Sequence, residues 1–136
     1  MYKILIAGSR GFTDYLKFKG YVDKFLSSLD KKDIMIIEGG AKGTDHMAHQ
    51  YAVEKNIDVK TYPADWETHG KKAGMIRNRE MGEAATHAII FWDGQSRGTK
   101  NMISICEELG ISLRTVRVKL DEHTRKDNQS PGGSIE

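Results

Sequence analysis

Short apolar runs alternate with amphipathic stretches along most of the chain, and a polar, glycine-rich junction follows several of the runs. Lys3 to Ala7 has the profile of a buried parallel strand and ends at Gly8-Ser9-Arg10-Gly11. Tyr15 to Leu29 spaces Phe18, Tyr21, Val22, Phe25, Leu26 and Leu29 by three and four residues, which predicts an amphipathic helix. Asp33 to Glu38 reads as a second strand, followed by Gly39-Gly40-Ala41-Lys42-Gly43-Thr44 and a helix from about Asp45 to Lys55. Asp58 to Tyr62 alternates as a third strand, and a loop from Ala64 to Gly70 leads to a helix from about Lys72 to Ala85. Ala88 to Trp92, a junction at Asp93 to Gly98, a helix from Thr99 to Leu109 and a strand from Leu113 to Val118 complete the pattern. Such alternation predicts an α/β fold, a Rossmann-like open parallel sheet of about five strands with helices on both faces.

Size fits one such unit: with 136 residues, 1–118 make a single domain, and the polar stretch 119–136 is expected to be a mobile tail. No apolar run approaches the roughly 20 residues of a membrane helix, and Met1 to Gly8 is too quickly broken for a signal peptide. The single cysteine, Cys106, suits a reducing cytoplasm, and among Ile103, Ile105 and Leu109 it reads as a buried structural thiol. Opposed totals of 21 basic and 19 acidic residues give a net charge of +2, too small to argue for nucleic acid by itself.

In an open parallel sheet, ligands bind beyond the carboxyl ends of the strands, where these junctions lie. Gly8-Ser9-Arg10-Gly11 offers a guanidinium for a phosphate or carboxylate, with Ser9 and backbone amides as neutral donors. Gly39 to Asp45 places flexible backbone before a helix N-terminus, the makings of a phosphate cradle. It matches neither a Walker A loop nor G-x-G-x-x-G, and Thr44 or Asp45 equally suits a helix cap. Asp93-Gly94-Gln95-Ser96-Arg97-Gly98-Thr99 repeats the design, with Ser96, Gly98 and Thr99 as candidate donors. The two loops are expected at adjacent strand ends, converging on one ligand.

Trp66 fits a base-stacking surface or a pocket cover, and equally a core or oligomer contact. Arg77 and Asn78 can face the cleft from their helix, beside Met81, whereas Arg79, Lys71 and Lys72 are expected to sit in solvent or pair with acids. His46 and His49 have metal-pair spacing without a third ligand, so no metal is assigned, and His49 is expected to pack against the loop.

Gly8-Ser9-Arg10, Gly39 to Asp45 with Ala48, His49 and Ala52, and Ser96-Arg97-Gly98-Thr99 together resemble the SLOG superfamily. That group includes the LOG cytokinin-activating phosphoribohydrolases, the DNA-processing protein DprA and small YspA-like proteins. The block from Asp65-Trp66 to Arg77-Asn78, followed by Phe91-Trp92-Asp93-Gly94, looks specifically YspA-like, and the likeness spans about residues 3 to 118. It implies a Rossmann-like domain that binds nucleotides or nucleotide derivatives. LOG enzymes carry acidic residues after their second glycine loop; the matching positions here are Asn101 and Met102. A carboxylate that would stabilise positive charge on a sugar is therefore missing there.

The resulting expectation is a cytoplasmic protein, of a bacterial or phage-infected cell, that senses or sequesters a nucleotide or ADP-ribose-like ligand. Its binding residues would be Gly8, Ser9, Arg10, Gly39, Gly40, Ala41, Lys42, Gly43, Thr44, Asp45, Trp66, Arg77, Asn78, Ser96, Gly98 and Thr99. An alternative is an N-glycosidic hydrolase or transferase, with Arg77, Asp45 and Asp93 as candidate catalytic residues. A third is DprA-like single-stranded DNA binding along Arg10, Lys42, Lys71, Lys72, Arg77 and Arg97. No cofactor is implied, and the resemblance makes a homo-oligomer the expected assembly.

Overall fold

The computed structural model describes residues 1–120, and the rest of the expected tail, residues 121–136, lies outside them. Five strands form one sheet: β1 (Tyr2–Gly8), β2 (Ile34–Glu38), β3 (Asp58–Thr61), β4 (His87–Trp92) and β5 (Ser112–Arg117). All neighbours run parallel in the order β3-β2-β1-β4-β5, so the strand order reverses between β1 and β4. The expected Rossmann-like architecture is present, with one refinement. The glycine loops after β2 and β4 do not leave adjacent strands, because β1 and its own loop lie between them.

Strand composition explains the order. Ile4 to Ala7, Ile36 to Ile37 and Ala88 to Phe91 are buried, as central strands covered on both faces must be. The side strands β3 and β5 are largely exposed along their length. Successive residues point to opposite faces, so Ile4 and Ile6 enter one core while Leu5 and Ala7 enter the other. The first core receives Phe18, Val22 and Leu26 from α1 (Tyr15–Leu26) and Met47, Ala48 and Tyr51 from α2 (Thr44–Glu54). On the opposite face, Met81 from α4 (Ala73–Ala84) meets Met102, Ile105 and Cys106 from α5 (Arg97–Leu109). Burial pushes the Cys106 thiol up to about 11, so at neutral pH it is a protonated core residue.

Three boundaries differ instructively from the sequence reading. Helix α1 ends at Leu26 instead of Leu29, because Ser27 and Leu29 turn back onto the carbonyls of Lys24 and Leu26. The segment from Ala64 to Gly70, read as a loop, contains α3 (Trp66–His69), a single turn capped by Asp65. Helix α5 begins two residues early, at Arg97. Leu120, in the stretch read as tail, packs against the first core.

Helices α4 and α5 approach closely at Gly82, where a Cβ would stand only 2.7 Å from Ile105 Cγ2. Gly20, in α1, has open space in the same position. Gly82→Val is therefore expected to cost about 2 kcal/mol by overpacking, whereas Gly20→Ala should gain about 0.5–1 kcal/mol from helix propensity and a less flexible unfolded chain. Urea unfolding of both variants checks the opposite signs.

Candidate functional site

The carboxyl edge of the sheet is organised around Ser9, which is 1% exposed. Its N–H bonds to Phe91 O at 2.9 Å, extending the β1–β4 ladder beyond Gly8. Its carbonyl accepts the Thr44 hydroxyl at 3.0 Å, at the first residue of α2. Its own hydroxyl lies 2.7 Å from that of Ser96, the residue that precedes α5. One residue of the β1 loop thus ties together the starts of two helices that arise from the strands on either side. Phe12 holds this loop from beneath: it is buried and stacks on Phe91 with ring centroids 5.3 Å apart.

Hydrogen-bond direction in the β4 loop follows from the charge on Asp93. Burial alone would raise its pKa, but the N–H groups of Ser96 and Gln95 and the hydroxyl of Ser96 hold it below the ordinary carboxylate value. Oδ1 of this carboxylate accepts from Gln95 N at 2.9 Å, Ser96 N at 2.8 Å and Ser96 Oγ at 2.7 Å. Because the Ser96 proton goes to Asp93, the Ser9 hydroxyl donates to Ser96 and accepts the Asp93 N–H at 3.2 Å. Both hydroxyls expected to grip a ligand are engaged as braces. Trp92, expected only as strand, adds an indole N–H bond to Ser96 O at 3.1 Å.

The β2 loop is built around two buried carboxylates. Glu38 accepts from Gly40 N at 2.5 Å and from the Thr61 hydroxyl, and its Oε2 lies 3.2 Å from His49 Nδ1. Asp45, 6% exposed, accepts from Ala41 N at 3.2 Å and so folds the loop back onto α2. Neither Thr44 nor Asp45 is the cap: that position is Gly43, at φ +71°, where a Cβ would meet Arg10 O at 2.2 Å. Gly39 is equally confined, since a Cβ there would lie 2.6 Å from Arg77 Nη1 and 2.9 Å from Asp45 Oδ2. Gly8 is wedged between Phe91 O and the Thr44 side chain. Gly8 and Gly43 let backbone approach backbone, and Gly39 leaves room for the Arg77 and Asp45 side chains.

From α4, Arg77 donates to Gly39 O at 2.5 Å and to Tyr62 O at 3.4 Å, with Nε bonded to Asn78 Oδ1. Buried Asn78 reaches α5 through Asn101 Oδ1 at 3.0 Å and Gly98 O at 3.4 Å. Arg77 and Asn78 therefore lock the second and third loops to α4. Arg10, Lys42, Arg97 and Gly98 are exposed at this edge, while Arg79 pairs with Glu83 and Glu108. Trp66 stands farther out, on α3. Among the described residues no group of three or more His, Cys, Asp or Glu side chains could hold a metal ion.

Both helices that open here begin without a side-chain cap. Met47 N bonds back to Gly43 O and Lys100 N to Ser96 O, so the amides of Thr44 to His46 and of Arg97 to Thr99 precede the first intrahelical bonds. Their positive dipole ends face the same edge of the sheet. Buried beside them, Thr99 Oγ1 has no hydrogen-bond partner, an unusual state for a hydroxyl 3% exposed as a residue.

The bracing roles of Glu38 and Phe12 are what composition left hidden. An acid closing the apolar run Ile34 to Ile37 just before Gly39-Gly40 was the available signal for Glu38. Nothing local marks Phe12, which depends on a partner 79 positions away.

Comparison with known proteins agrees with this architecture. The model of the YspA, cpYpsA-related SLOG family matches residues 2–69, through the first two loops and α2. The chain belongs to that family. It is 34% identical over 121 residues to the Gene 61 protein of Mycobacterium phage D29, covering 83% of this chain and 94% of the phage protein. The X-ray structure of DNA processing protein A (DprA) from Streptococcus pneumoniae superposes with a TM-score of 0.69 at 16% identity. That match covers 90% of this chain but 52% of the DprA chain, so the shared part is about half of the larger protein. No helix among the described residues is long and apolar enough to cross a membrane.

The Asp93 brace has a pH signature. Its folded pKa lies below the unfolded one, so its stabilisation is fully present above the unfolded value, about 3.9, and is lost as pH falls through the folded value. In Asp93→Asn the acid limb of the stability curve should flatten over that window. Urea midpoints measured from pH 6 down to about pH 3 check it.

Proposed function

We propose that this edge of the sheet binds the phosphate end of a nucleotide or nucleotide derivative, and that the protein holds the ligand intact, as a sensor or a store. The observation that carries this reading is the pair of uncapped helix starts, α2 and α5, bridged by Ser9. A negatively charged group placed between them would meet backbone N–H donors from both helices at once. Exposed Arg10 and Lys42 add charge of the right sign, and the idle hydroxyl of Thr99 is a donor in search of an acceptor.

Binding is favoured over cleavage by the state of the nearby acids. Glu38 and Asp93 already accept several internal hydrogen bonds, and Asp45 accepts from Ala41. The position where LOG enzymes carry an acid is Asn101, bonded to Asn78, and its neighbour Met102 is in the core. An N-glycosidic step would need one of these carboxylates to leave its partners. Single-stranded DNA binding has weaker support, because the likeness to DprA at this identity bears on the fold alone.

The test is chromatography of AMP, NAD, ADP-ribose and cyclic nucleotides after incubation with the protein. Intact ligand retained in the protein fraction is the expected result, and free base accumulating with time would contradict it. In Arg10→Ala, binding should weaken about tenfold, the scale of one charge-assisted hydrogen bond.

A further inference from the structure

Trp66 opens α3 directly after β3, at the same edge of the sheet as the two uncapped helix starts. Asp65 fixes that turn by accepting the Thr68 N–H at 3.1 Å. The indole leaves 54% of its residue surface to solvent, the bulkiest side chain among the exposed hydrophobic residues. One edge rests on α4, with Cη2 lying 3.7 Å from where a Gly74 Cβ would stand. Residues three and four positions apart share a helix face, so the next turn beyond Gly74 on this face carries Arg77 and Asn78. Arg77 in turn donates to Gly39 O and Tyr62 O. Contacts through α4 therefore link the exposed ring to the glycine loop that leads into α2.

An exposed aromatic face linked to the loop proposed to hold a phosphate suits a nucleotide, whose flat base lies one sugar away from its phosphate. Lys71 and Lys72, exposed between the ring and α4, supply charge complementary to such a ligand. We infer that Trp66 is the base-stacking platform of the site, taking the face of a nucleobase while the phosphate lies at the starts of α2 and α5. The inference rests on the phosphate reading above and adds the chemical class at the other end of the ligand. Every base has a π-face, so a stacking platform selects for a nucleobase without distinguishing strongly among bases.

Calorimetric titration of AMP and of ribose 5-phosphate into the wild type, Trp66→Ala and Trp66→Phe separates the two ends, with the mass of each protein measured by light scattering. The wild type is expected to bind AMP more tightly than ribose 5-phosphate. Trp66→Ala should weaken AMP about tenfold, within the range for one stacked base, and leave ribose 5-phosphate unchanged. Trp66→Phe should keep most of the AMP affinity. Unchanged AMP affinity in Trp66→Ala would overturn the platform, as would equal loss of both ligands. A wild type that binds both ligands equally would also overturn it and leave the phosphate reading standing. A drop in mass in Trp66→Ala with equal loss of both ligands would make the ring a subunit contact instead. A wild type that binds neither ligand would end both readings.

Discussion

The hydrogen bonds of Ser9 hold the functional edge of this protein together. A parallel sheet ends in a row of unconnected loops, and here a single buried serine joins three of them through its amide, carbonyl and hydroxyl. The cooperation is directional. Asp93 is held as an anion, Ser96 must donate to it, and Ser9 must donate to Ser96. Two helices that spring from β2 and β4 are thereby brought to one place, although β1 separates those strands. Without that tie, α2 and α5 would present two separate dipole ends.

The glycines have a complementary part. Gly8, Gly39 and Gly43 are the points where loops or side chains press against backbone too closely for a Cβ. In a sequence they look like flexible ligand loops. In the fold they are contact points that make the loops rigid, and rigidity lowers the entropic cost of binding. Arg77, expected to face the ligand, also fastens the Gly39 carbonyl and the exit of β3 to α4.

Much of the fold was legible because burial imposes a simple code. Strands covered on both faces need continuous apolar runs, such as Ile4 to Ala7 and Ala88 to Phe91, and helices on a sheet need one apolar stripe. The family likeness was legible from the order of its loop motifs. Less legible was anything decided by partners distant in sequence. Ser9 and Ser96 are 87 positions apart, and their pairing turns two apparent ligand donors into braces. The one-turn helix at Trp66 was hidden because it contributes no buried residue to mark a stripe. Glu38 could have been suspected, since an acid at the end of a buried strand needs several partners; which partners only the packing of β3 and α2 decides.

On this reading α2 and α5 act together on one anion. The most direct test follows backbone amide resonances while AMP is added to the isotopically labelled protein. The amides of Thr44, Asp45 and His46 should shift in step with those of Arg97, Gly98 and Thr99, with one common midpoint. Shifts confined to one helix start, or absent from both, would contradict it.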